Sequence, residues 1–248
     1  MDRKIRVAAV SYLNTKPLTY GFEKGDMKGQ MDLKFEYPAK VAAMLLNDDI
    51  DIGLIPVAVI PQLKEVYIIS DYCIGANGEV ASVCLFSDVS IENITSVYLD
   101  YQSRTSVALL QILLQEHWSI APKLIAAEEG YEEKIKGTIA GLVIGDRAFL
   151  QRTKSKYIYD LSSAWKEMTG LPFLFAAWVA NKKLPDHFVD SFNKATGAGL
   201  AHIEEIVTGI AFEAYDLHRY YTENIDYNLD DQKMEALKLF LGFLSPDK

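Results

Sequence analysis

The chain has 248 residues, enough for one large domain or two lobes of ordinary size. Half of it is hydrophobic, which allows a sizeable core, and its net charge is −9, from 34 acidic and 25 basic residues. Arg3-Lys4 and Lys182-Lys183 are too short to make a basic stripe, so nucleic-acid binding is disfavoured, and any anionic ligand must be held by local donors.

The N-terminus runs from Met1 straight into an apolar segment and lacks the apolar region of a signal peptide, which points to a cytoplasmic protein. No apolar run approaches the ~20 residues that span a bilayer, so no membrane association is expected. Cys73 and Cys84 have no metal-ligand spacing and read as buried thiols.

In chain order, strands are predicted near 5–10, 32–37, 51–55, 66–70, 80–87, 97–100, 123–126, 141–144, 156–160 and 173–180. Helices are predicted near 17–23, 38–48, 56–61, 104–117, 128–136, 145–151, 161–168 and 185–205, and about 206–244 reads as further helices. Such alternation predicts an α/β fold with mostly parallel sheets. Two long apolar runs stand out, Val80 to Phe86 and Phe173 to Val179, with a compact α/β segment between them. They read as two crossing strands that join two lobes, residues 1–86 with 178–248 and residues 87–177. A ligand would sit in the cleft between lobes.

Four constellations could carry chemistry. Ser11-Tyr12-Leu13-Asn14-Thr15-Lys16-Pro17-Leu18 follows the first strand, and Pro17 suits the first turn of a helix. In open α/β folds that turn is where ligands bind, although on composition alone Asn14 reads first as a residue that caps or turns the chain. Asp100-Tyr101-Gln102-Ser103-Arg104-Thr105-Ser106 opens another helix. Its hydroxyls and free N–H groups, with Arg104 beside them, form either an anion site or ordinary capping with Arg104 in solvent. Gly145 permits close backbone approach to a ligand, and Asp146 either lines that site or caps the following helix. Ser82 is a lone hydroxyl in an apolar run and needs a partner if buried. The four histidines are scattered, and no dinucleotide, P-loop, nucleophile-elbow or Cys-x-x-Cys motif is present.

Taken together, residues 11–18, Asp51-Ile52-Gly53-Leu54-Ile55-Pro56, Ser103 to Leu110, Gly145-Asp146-Arg147-Ala148, Ala164 to Phe173 and Tyr221 to Tyr227 resemble the chorismate dehydratase (MqnA) family of the futalosine route to menaquinone. The resemblance spans nearly the whole chain. It departs at Gly78-Glu79, where that family often has Gly-Pro, while Ser82 keeps its offset. The resemblance implies the two-lobed fold of type 2 periplasmic solute-binding proteins. It also implies a cofactor-free and metal-free elimination of water from chorismate, giving 3-[(1-carboxyvinyl)oxy]benzoate. By the same resemblance Asn14 and Ser82 are catalytic, and Ser11, Tyr12, Ser103, Thr105, Ser106, Gly145 and Asp146 bind substrate. The competing class is a solute-binding or sensory protein that holds a small carboxylate without changing it. The absence of an export signal and of a DNA-binding module argues against it.

Overall fold

The computed structural model describes residues 4–24, 27 and 29–245. The first apolar run forms strand β1 (Ile5–Val10), with Val7 to Val10 buried. A single 3-10 turn, Leu13–Thr15, leads into helix α1 (Lys16–Lys24). There follow β2 (Met31–Glu36), α2 (Pro38–Leu46), β3 (Ile52–Pro56) and β4 (Tyr67–Ala76). The middle of the chain forms β5 (Val83–Ser87), β6 (Ser96–Leu99), α3 (Thr105–Ile112), β7 (Lys123–Ala126), β8 (Ile139–Ile144), α4 (Asp146–Arg152), β9 (Tyr157–Asp160) and α5 (Leu161–Thr169). It closes with β10 (Phe173–Ala180), α6 (Asp186–Gly197), α7 (Ile203–Thr208), α8 (Leu217–Arg219), β11 (Asp226–Asn228) and α9 (Asp231–Phe243).

The strands build two sheets, ordered β11-β4-β10-β3-β1-β2 and β7-β6-β8-β5-β9. The pairings of β1 with β2 and β3, and of β6 with β7 and β8, are parallel; the others are antiparallel. The sheets are therefore mixed rather than mostly parallel. The reason is topological: β5 and β10 enter their sheets from the cleft and run away from it, against strands whose carboxyl ends open onto it. Strand β5 pairs only in the second sheet and β10 only in the first. The chain thus changes sheet between Ala76 and Val83, and again between Asp160 and Phe173.

Several predicted elements are corrected. Residues 57–62 form a 3-10 segment because Pro61 lies inside it and donates no N–H. The helix expected at 128–136 shrinks to a 3-10 turn at Tyr131–Lys134, bracketed by Gly130 and Gly137 at positive φ. The helix expected at 185–205 breaks after Gly197. A Cβ at Gly199 would meet the Pro17 carbonyl oxygen at 2.0 Å, so a small residue is required where α1 approaches. The run 80–87 becomes a strand only from Val83, and β11 appears in the tail read as helical.

The first sheet is sealed by aromatic packing: Trp178 of β10 is fully buried against Phe22 and Phe192. Its polar anchor is Asp51, 2% exposed at the entry to β3. Asp51 accepts from the Arg6 backbone N–H and guanidinium, each at 2.9 Å, and lies 3.0 Å from Lys182 Nζ. Burial pushes its carboxyl up, but the bonds from Arg6 and Lys182 outweigh burial and hold it well below the usual carboxylate range. The depressed value means that Asp51 stabilises the fold above its unfolded value of about 4 and loses that contribution as pH falls below it. Asp51→Asn is expected to lower unfolding free energy at pH 7 by about 2 kcal/mol or more, and to flatten the fall in stability between about pH 4 and pH 2, in urea titrations. An unchanged acid dependence would contradict this assignment.

Candidate active site

The carboxyl ends of β1, β3, β4 and β8 and the first residues of β5 and β10 surround one cavity between the sheets. The cavity volume is about 50 Å³. Val10, Ile74, Val83, Ile144 and Phe175 form its apolar wall. Its polar lining is Tyr12, Asn14, Ser82, Ser103, Thr105 and Ser106, with Gly145 beside them. Among the described residues no acidic, basic or histidine side chain lines this cavity. Tyr12 is the one ionisable lining group, and burial holds its hydroxyl protonated by raising its pKa. The lining includes Pro38 at the start of α2 and Thr105 and Ser106 in the first turn of α3. Helix starts carry positive partial charge, so this uncharged cleft favours anionic groups.

Asn14 is 8% exposed and its side chain caps no helix. Its Oδ1 accepts from the Thr15 hydroxyl at 3.3 Å, and its backbone carbonyl accepts from the Tyr227 hydroxyl at 2.9 Å. Ser82 is fully buried, and its Oγ accepts from the Tyr220 hydroxyl at 2.7 Å. Tyr220 thus backs Ser82, from a tail that the sequence pattern does not divide into elements. Its only sequence signal was the Tyr220-Tyr221 pair bordering the 221–227 motif.

Ser82 is aimed by a tight turn. Its N–H donates to the Val80 carbonyl at 2.8 Å across Ala81, which has φ +63°. That is the three-residue turn of positive φ, a strained form. The buried Asp160 carboxylate holds it, accepting from the N–H groups of Val80 at 3.1 Å and Ala81 at 2.8 Å. Arg152 donates to the Ala81 carbonyl at 3.0 Å and to Glu79 at 2.7 Å.

Gly145 has φ +64° and ψ −150°, and a Cβ there would lie 2.8 Å from the Tyr12 ring. Only glycine fits on both counts. The Ser82 carbonyl accepts from its N–H at 2.8 Å, which ties the crossing segment to β8. The Tyr12 hydroxyl donates to Gln102 Oε1. Asp146 neither lines the cavity nor caps α4; its Oδ1 accepts from the Leu13 N–H at 3.1 Å, and burial pushes its carboxyl up. Further bonds across the cleft run from Ala39 N–H to the Gln102 carbonyl and from Ala58 N–H to Thr105 Oγ1, each 3.1 Å.

At the start of α3, Ser103 Oγ accepts from the Ser106 N–H at 3.0 Å and so caps the helix. Ser106 lines the cavity, whereas Arg104 is exposed and does not. Asp100 is buried against Arg147 at 2.7 Å and Tyr131 at 2.8 Å, shaping the loop rather than the cavity. Ser11 lies outside this lining, exposed at the mouth beside Lys16 and Phe35. His117, His202 and His218 each sit beside a glutamate away from the cleft. Among the described residues no group of three or more His, Cys, Asp or Glu could hold a metal ion, and no helix is long and apolar enough to cross a membrane.

Comparison with known proteins places this architecture. A protein of Archaeoglobus fulgidus superposes with a TM-score of 0.75 at 17% identity, covering 97% of this chain and 96% of its own. A Candida albicans protein described as having the generic periplasmic binding protein fold gives 0.63 at 12%, covering 100% and 92%. At such identities the likeness concerns fold alone, and the fold is the periplasmic-binding-protein type. A chorismate dehydratase of Thermus thermophilus is 27% identical over 227 residues, 82% of this chain and 83% of that protein. A chorismate dehydratase of Campylobacter jejuni is 29% identical over 236 residues, 93% and 89%. The family model described as menaquinone biosynthesis matches residues 5–245, and the chain belongs to that family.

Proposed function

We propose that the protein is a chorismate dehydratase, a lyase that removes water from chorismate to give 3-[(1-carboxyvinyl)oxy]benzoate. The observation that carries this reading is the cavity itself, an apolar slot with Asn14 and Ser82 in its lining and no charged side chain. Family membership and the two dehydratase relatives support it.

Chorismate is a dicarboxylate with a ring hydroxyl next to the carbon that bears the enolpyruvyl ether. The C–H bond at that ether carbon breaks, and its electron pair forms the last ring double bond. The neighbouring C–O bond breaks, and the hydroxyl departs with a proton as water. Aromatisation drives the step, so the site needs to orient groups and guide one proton. Asn14 and Ser82 are too weak as bases, and the Tyr12 phenol stays protonated. The proton acceptor is therefore the substrate's own enolpyruvyl carboxylate, held by the Asn14 amide. Ser82 donates to the leaving hydroxyl, and the first turn of α3 with Ser106 holds the ring carboxylate. Ser103 keeps that turn capped, and Thr105 anchors it to Ala58. Tyr12 and Gly145 close the slot around the ring, while Ser11 at the mouth and Asp146 behind Leu13 fix the turn that carries Asn14.

Purified protein mixed with chorismate is expected to yield an aromatic product lighter by one water, read by chromatography and mass. Chorismate that is bound and left unchanged would instead make the protein a receptor. Asn14→Ala is expected to lower kcat by about 100-fold or more while chorismate binding stays measurable by calorimetry; turnover near wild type would remove Asn14 from the mechanism. Gly145→Ala is expected to destabilise the fold by about 2 kcal/mol, through its φ and the displaced Tyr12 ring, and to raise KM. Unchanged melting and KM would show that the ring is not held there.

A further inference from the structure

Tyr220 opens a turn of π-helix, Tyr220–Asn224, and is completely buried. Its ring is wedged edge-on against Phe149, with centroids 4.9 Å apart, and stays clear of the cavity lining. The same turn is tied to the segment that carries Ser82, because the Asn224 amide donates to the Glu79 carbonyl at 3.0 Å. Three residues after the turn ends, Tyr227 bonds the Asn14 carbonyl. The C-terminal segment therefore grips both proposed catalytic residues from behind.

Counting protons fixes the polarity of this cluster. A phenol has a single proton, and that of Tyr220 goes to Ser82 Oγ at 2.7 Å. Ser82 thus has an accepting site filled and keeps its own proton to give. Its backbone cannot take that role, since its N–H is bonded to Val80 and its carbonyl accepts from Gly145.

We infer that Tyr220 is a positioning residue that sets Ser82 as a hydrogen-bond donor toward the substrate. This rests on the dehydratase reading above. A departing hydroxyl needs a donor, so the wrong polarity at Ser82 opposes the elimination. Without the phenol, the Ser82 hydroxyl is free to turn toward a protein acceptor.

The test compares wild type, Tyr220→Phe, Ser82→Ala and the double variant for chorismate turnover, with melting curves for each. Tyr220→Phe is expected to lower kcat about 30-fold or more, with KM changed less than about three-fold. The double variant is expected to retain about five-fold or more activity above the product of the two single losses, because Tyr220 acts partly through Ser82. Losses that simply multiply, or a kcat within about three-fold of wild type, overturn the inference while leaving the dehydratase reading intact. A wild type that leaves chorismate unchanged overturns both. Should Tyr220→Phe fail to melt cooperatively, 3-fluorotyrosine at position 220 retains the hydroxyl. Its fluorine resonance is expected to move in Ser82→Ala, and a resonance that stays fixed there overturns the inference.

Discussion

One buried carboxylate holds the cleft in shape. Asp160 ends β9, and its Oδ1 accepts from the Ser162 and Ser163 N–H groups at the start of α5, at 3.1 and 3.0 Å. The same carboxylate accepts from Val80 and Ala81 in the segment that leaves the first sheet. It thereby cross-links the first crossing to the helix that precedes the second. An alanine at positive φ costs about 1–2 kcal/mol, and Ala81 persists there because Asp160 and Arg152 take up its N–H and carbonyl. The direction of Ser82, its bond to Tyr220 and its tie to Gly145 all follow from that turn.

The cleft built on this frame solves an electrostatic problem with neutral groups. A protein of net charge −9 repels a dicarboxylate at long range. Charged lysines or arginines at the cavity would attract the substrate and would equally stabilise its carboxylates against accepting a proton. Amide, hydroxyl and helix-start donors bind anions while leaving the carboxylate basic enough to take a proton. The apolar wall raises the strength of each such bond by excluding water. The contacts that close the cavity, from Leu13 to Asp146 and from Ala58 to Thr105, are also made by neutral backbone donors.

The elements that bear the cleft were legible where local pattern and tertiary role coincide. The turn at 11–18 stood out because hydroxyls, an amide and Pro17 follow an apolar strand. The crossings stood out because strands buried on both faces read as continuous apolar runs. Ser82 was visible as the polar exception in one of them. Its turn was not, because an alanine carries the positive φ and the stabilising carboxylate lies 79 residues further on. Tyr220 was hidden for a similar reason: an aromatic residue in an amphipathic tail reads as core, and its partner lies 138 residues away. Asp146 was read as a ligand or a cap, yet it serves the Leu13 N–H across the cleft, a role that no local spacing encodes. The acidic stretch at 128–136 has helix-like composition, and glycines at its borders decided otherwise.

The most direct test of the account uses chorismate carrying deuterium on the ring carbon that bears the ether oxygen. The account predicts an aromatic product one water lighter than unlabelled chorismate, free of deuterium, with the enolpyruvyl group intact and formed more slowly than from unlabelled substrate. A product that retains the deuterium, or one that has lost the enolpyruvyl group, would contradict it.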